Sequence, residues 1–162
     1  MQTANLVRQL GLHPRRTIRV IAWMNEENGT RGGQGYAKDH AAEAANHFAA
    51  IETDLGADHP VGINAVGKPE LKNFLGPVAK VLENSGAGLV ETKDEAGSDV
   101  DPLRKLGVPE FSPIQDNRFY FNYHHTAADT LDKIDPPQLA ETAAINAVLA
   151  YGLANLEQPL PR

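Results

Sequence analysis

The chain reads as short apolar runs set between polar turns, and the period of each run names an element. Leu6, Val7 and Leu10 share helical spacing, so the chain opens with a helix that Gly11 stops and His13-Pro14 breaks. Thr17-Ile18-Arg19-Val20-Ile21-Ala22-Trp23 is the best strand candidate. It is β-branched and mostly apolar, as a strand covered on both faces is. It ends in a mainly polar turn, Met24-Asn25-Glu26-Glu27-Asn28-Gly29. Residues 33–46, partly Ala-rich, predict a helix, and residues 47–52 a second, weaker strand ending at Thr53-Asp54-Leu55-Gly56. Residues 70–84 place Leu71, Phe74, Leu75, Val78, Val81 and Leu82 on one helical face, with Pro77 predicting a kink or a late start. Leu89-Val90-Glu91 predicts a short strand and residues 103–107 a helical turn. Residues 108–114, with two prolines, predict an interrupted edge or end strand. Residues 119–123 are aromatic-rich and lead into His124-His125. Pro136-Pro137 opens a last helix whose residues 138–156 are apolar nearly all round, which predicts deep burial. Strands alternating with helices predict an α/β layer fold, one domain over residues 1–162.

Composition narrows the classes. A chain of 162 residues, 41% apolar and 22% charged, is about one globular domain with a core of its own. The absence of cysteine excludes disulfides, thiolate zinc sites and a cysteine nucleophile. A net charge of −6 has the wrong sign for a general nucleic-acid binder. No apolar run approaches the roughly 18 residues of a membrane span. Residues 1–16 carry Arg8, His13, Arg15 and Arg16 without an apolar stretch, so no secretory signal is expected there.

Three groups of chemically able residues follow strand candidates: Glu26-Glu27, Asp54 and His124-His125. In open α/β sheets ligands gather at the carboxyl ends of strands, so residues distant in sequence can meet there. Carboxylate and imidazole together suit a zinc-like ion, and an open coordination position would hold water. Such an ion acidifies that water and polarises a carbonyl, while a carboxylate that does not bind metal can take the proton. The plainer reading is that adjacent glutamates are solvated, that Asp54 serves a turn and that the histidines lie on the surface. A carbohydrate or phosphate site built from carboxylates and Lys/Arg ranks below both, since no recognised Gly-rich phosphate loop is present.

The run from Arg16 to Gly29 resembles the glutamate-pair segment of zinc-dependent exopeptidases with two co-catalytic metals. The branch it resembles includes leucyl-type aminopeptidases and plasma glutamate carboxypeptidase. Ala50-Ile51-Glu52-Thr53-Asp54-Leu55-Gly56-Ala57 resembles that branch's acidic-ligand segment, and Tyr123-His124-His125-Thr126-Ala127-Ala128-Asp129-Thr130-Leu131 its terminal histidine segment. The resemblance implies a partial three-layer fold with a mixed sheet and helices on both faces. It implies that Glu26 is the general base, that Glu27 and His125 share one zinc and that Asp54 binds the other. His124 is the substitute for His125, less favoured by its spacing to Asp129-Thr130, and Asp129 would orient an imidazole. Asp99 and Asp101 would border the cleft, although a solvated loop is the better expectation for both.

The family's His-x-Asp segment and its bridging aspartate have no counterpart here; the only histidine before Glu26 is His13. The chain therefore resembles the second half of the catalytic domain, with two donors for one metal and one for the other. A catalytic zinc takes three protein ligands. The expected function is a zinc-dependent exopeptidase acting on peptide substrates, here incomplete. The alternative is a catalytically silent remnant that folds or self-associates. Missing early strands would leave an exposed sheet edge for a partner chain or a second copy to cover.

Overall fold

The computed structural model describes residues 1–162 and centres on a mixed four-stranded sheet. The chain opens with helix α1 (Gln2–Gln9) and continues to α2 (Arg31–Asp39), a 3-10 turn at Ala41–Asn46, and strands β1 (Ala50–Ile51) and β2 (Pro60–Val66). Helices α3 (Leu71–Phe74) and α4 (Gly76–Leu82), strand β3 (Leu89–Thr92), helix α5 (Asp101–Arg104), strand β4 (Glu110–Gln115) and helix α6 (Pro136–Asn155) follow. The strand order is β1-β4-β2-β3. β1–β4 and β2–β3 are parallel and β2–β4 is antiparallel.

The two faces of the sheet bury different chemistry. On one, Ile63, Ala65 and Phe111 meet Leu75 and Val78 before and within α4, and Ile145, Leu149 and Leu153 of α6, in one apolar core. On the other, Val66 packs with Ala96 and Val100, beside a small cluster of Ala37 from α2 with Leu103 and Val108. That second face also buries Glu52, Asn64, Glu110 and Ser112. Asn64 donates Nδ2 to the Glu95 carbonyl (2.9 Å). No helix is long and apolar enough to cross a membrane.

The α/β class and the mixed sheet agree with expectation, but several elements need correction. Residues 17–23 form no strand: they run irregularly, with Ile18, Ile21 and Trp23 half-buried and Val20 exposed, because no neighbouring strand lies beside them. The helix expected over 33–46 stops at Asp39 and continues as the 3-10 turn. The strand expected over 47–52 shortens to Ala50–Ile51. β2 was not expected at all, since Pro60, Gly62 and Asn64 break its apolar pattern. Gly62 is required there: a Cβ would lie 2.3 Å from the Leu89 carbonyl oxygen of β3. The prolines of 108–114 suggested an edge, yet β4 lies inside the sheet. Phe111 offers its carbonyl to Glu52 on the β1 side. Pro113 has the same parity, so its missing N–H falls where β1 has already ended. Pro77 behaves as expected: the run 70–84 divides, and α4 starts afresh with this proline in its first turn. α6 starts at Pro136 but buries one stripe (Thr142, Ile145, Asn146, Leu149, Leu153) rather than its whole circumference; Leu139 is exposed.

Candidate active site

The turn after residues 17–23 is closed by its own backbone. The carbonyl of Glu26 accepts the N–H groups of Gly29 and Thr30, that of Asn25 accepts Arg31 and that of Met24 accepts Gly32. Asn25 (φ 59°) and Thr30 (φ 51°) occupy the left-handed region, which reverses the chain sharply between the glutamates and α2. Two close approaches fix the start of α2. A Cβ on Gly32 would stand 2.5 Å from the Met24 carbonyl oxygen, and one on Gly33 2.2 Å from that of Asp99. The glutamate turn is thereby pressed against the segment that carries Asp99.

Glu27 and His125, 98 positions apart, meet. His125 Nε2 lies 2.8 Å from Glu27 Oε1, with the side chains 62% and 70% exposed. His125 reaches this position from a left-handed backbone (φ 56°), a conformation a non-glycine residue adopts at a cost. Its ring stacks on His124 (3.8 Å, 20°), and His124 stacks on Tyr120 (4.8 Å, 28°). Tyr120 in turn lies against Gly56, in the turn that follows Asp54 (3.2 Å to a Cβ at position 56). Burial and the charges of Asp54, Asp129 and Glu27 push the Tyr120 hydroxyl pKa up. A column of rings thus links the Asp54 turn to the Glu27–His125 pair.

Below the column lie buried acids. Glu52 Oε2 accepts the Val100 N–H (2.9 Å), and burial first, then Asp99 and Asp54, push its carboxyl up to about 7. Asp99 is only 7% exposed, and its Oδ1 has no hydrogen-bond partner. Burial raises its pKa, and so do the charges of Glu26 and Asp54. Glu110 is fully buried with neither oxygen hydrogen-bonded; Arg104 Nε stands 4.0 Å from its Oε2, and burial pushes the carboxyl up to about 7 against that pull.

The sequence-predicted residues are therefore placed unequally. Glu27 and His125 are in contact. Asp54 makes no side-chain hydrogen bond or ion pair; its charge and that of Glu26 fall together on Asp99. His124 serves as the middle ring of the stack. Asp129 is exposed and bonds neither imidazole. Asp99, expected in a solvated loop, is buried. Asp101 is bound to Arg104 and Lys105 at the start of α5. Sequence reading passed over Glu52 and Tyr120. The signal for Glu52 was its spacing of two from Asp54, which puts both on one side of an extended chain.

Carboxylate and imidazole at one point are zinc-type donors. No three His, Asp or Glu side chains converge as a metal cage, however, so these residues alone fall short of the three ligands of a catalytic zinc.

Residues 1–150 match Peptidase family M28. The chain is 34% identical over 161 residues to carboxypeptidase Q of Bos taurus and 32% identical to that of Homo sapiens; each alignment covers 99% of this chain and 34% of the relative. It superposes on the structure of an M28 peptidase precursor from Shewanella amazonensis with a TM-score of 0.90 and 39% identity, covering 99% of this chain and 37% of that one. An aminopeptidase from Aneurinibacillus shares the fold at a TM-score of 0.61 and 24% identity, over 86% of this chain and 34% of its own. The chain thus spans about a third of the length of the relatives it matches.

Proposed function

Given that the chain belongs to Peptidase family M28, we propose that it carries the proton-handling half, and part of the zinc-binding half, of an exopeptidase site. The reaction is hydrolysis of a peptide bond next to a chain terminus. One observation carries the reading: Glu27 and His125, separated by most of the chain, stand 2.8 Å apart. An exposed ion pair contributes roughly 0–1 kcal/mol, so stability gives little reason to hold His125 in a strained backbone for this contact. Glu26, on the same turn but free of that pair, takes a proton from the attacking water and returns it to the leaving amine. Zinc would be held by Glu27, His125 and donors from outside residues 1–162, with Asp54 serving a second metal position.

The test measures bound zinc by elemental analysis and hydrolysis of amino-acid anilides and blocked dipeptides, with and without a chelator, on the chain supplied with the part of an M28 peptidase domain that these residues do not span. The expected outcome is chelator-sensitive turnover. Glu26→Gln should lower it by about 10²–10⁴-fold while the zinc content stays unchanged. Absence of both zinc and turnover at saturating zinc would overturn the reading. The second reading, a catalytically silent folded homologue, is favoured by the lack of a third converging donor. That null result is the outcome it expects.

A further inference from the structure

Asp54 makes no side-chain bond of its own, yet the two residues before it are pinned on opposite faces of the sheet. On one face Glu52 Oε2 accepts the Val100 N–H (2.9 Å). A Cβ on Gly97 would stand 2.1 Å from the Glu52 carboxyl carbon, so the loop closes directly over that side chain. On the other face Thr53 Oγ1 donates to Asn146 Oδ1 of α6 (3.1 Å). Asn146 Nδ2 donates to the Thr142 carbonyl (3.0 Å), which can only accept, so Oδ1 is the atom left to face Thr53. Thr142 Oγ1 in turn donates to the Gln138 carbonyl (3.1 Å) and accepts Gln115 Nε2 of β4 (3.2 Å). Each donor direction in this series is therefore fixed, from β4 through α6 to the residue beside Asp54.

Stability does not account for these polar residues. Thr142 and Asn146 lie in the buried stripe of α6 with Ile145 and Leu149, and Gln115 is buried with its Oε1 unpartnered. A buried network left incomplete is worth less to the fold than apolar packing in its place. Its last bond goes to Thr53, an exposed residue whose hydroxyl water could serve as well. What the network delivers is direction. Neighbouring side chains of an extended chain point to opposite faces, so holding Thr53 against α6 sets the side on which Asp54 stands. We propose that Asn146, acting through Thr53, is a positioning residue for Asp54 and fixes its carboxylate at the second metal position. The anchoring stands on the hydrogen bonds alone, whereas its service to a metal rests on the peptidase reading.

Thr53→Val and Asn146→Leu remove the bond from either end, and Thr53→Ser keeps it. In the chain alone, three-bond couplings across the Cα–Cβ bond of Asp54 report whether its side chain holds one rotamer. One rotamer is expected in the parent and in Thr53→Ser, and averaged couplings in Thr53→Val and in Asn146→Leu. The double variant should be no more averaged than either single one, because the second change removes nothing that the first has left. Thr53 is exposed, so Thr53→Val should melt like the parent and decides the matter even where Asn146→Leu disturbs α6. Zinc is then titrated against a chromogenic chelator in the chain supplied with the part of an M28 domain that these residues do not span. Thr53→Val and Asn146→Leu should weaken one zinc equivalent about 10–100-fold and leave the other unchanged, and Thr53→Ser should match the parent. Averaged couplings in the parent, one rotamer in both single variants, effects that add in the double variant, or equal weakening of both zinc equivalents would overturn the proposal. If the parent assembly binds no zinc, the service to a metal falls with the peptidase reading, and the couplings alone decide the anchoring.

Discussion

At the scale of single residues, the exposed pair and the buried acids make opposite predictions. Glu27→Ala and His125→Ala remove a solvent-facing contact, so each should change unfolding free energy by less than about 1 kcal/mol. In chemical denaturation they should look like the parent, while zinc affinity measured by competition with a chromogenic chelator falls. Glu110 behaves differently. Burial holds its carboxyl at about 7 in the folded chain against an ordinary 4.5, so the folded state keeps a proton that the unfolded chain releases. Its favourable contribution is complete below about pH 4.5 and is lost as pH rises to about 7, a change of about 3 kcal/mol. Glu110→Gln has no proton to lose, and its stability should fall less steeply over that window. Urea denaturation at stepped pH values distinguishes the two profiles. The residue-level chemistry was legible where polar types sat in a distinctive order, as in Glu26-Glu27 and His124-His125. It was illegible for Asp99, because only the packing of Gly33 against the Asp99 backbone reveals that this aspartate is inside.

At the scale of elements, periodicity located those whose partners are near. α1, the division at Pro77 and the start of α6 followed from spacing and proline placement. β2 was hidden because its glycine and asparagine answer to neighbours: Gly62 makes room for the backbone of β3, and Asn64 bonds the Glu95 carbonyl. Residues 17–23 erred the other way, with the strongest strand pattern in the chain and no strand. A strand needs a partner as well as a propensity. The role of Gly62 gives a direct prediction. Gly62→Ala should cost about 1–3 kcal/mol, because its methyl meets backbone that has no alternative position within a sheet. Guanidinium midpoints at constant slope check this, and a parent-like midpoint would show that β2 and β3 can move apart.

At the scale of the whole molecule, the chain is a sheet with one finished side and one open side. The β3 side is buttressed by α3, and the core under α6 is continuous. The open side is held at its ends: Arg16 caps the carbonyls of Ala154 and Leu156 at the end of α6 and lies over the Phe48 ring at 3.7 Å, and the glutamate turn closes the other end. Between those anchors runs a β-branched ribbon with free amides, which is the composition from which cross-β fibrils grow. Within it Arg19 is the only charge, and like charges repel when identical ribbons stack. Arg19→Thr should therefore shorten the lag before thioflavin fluorescence rises in concentrated solution. The side chain that keeps this protein dispersed would then be one that takes no part in the Glu27–His125 pair.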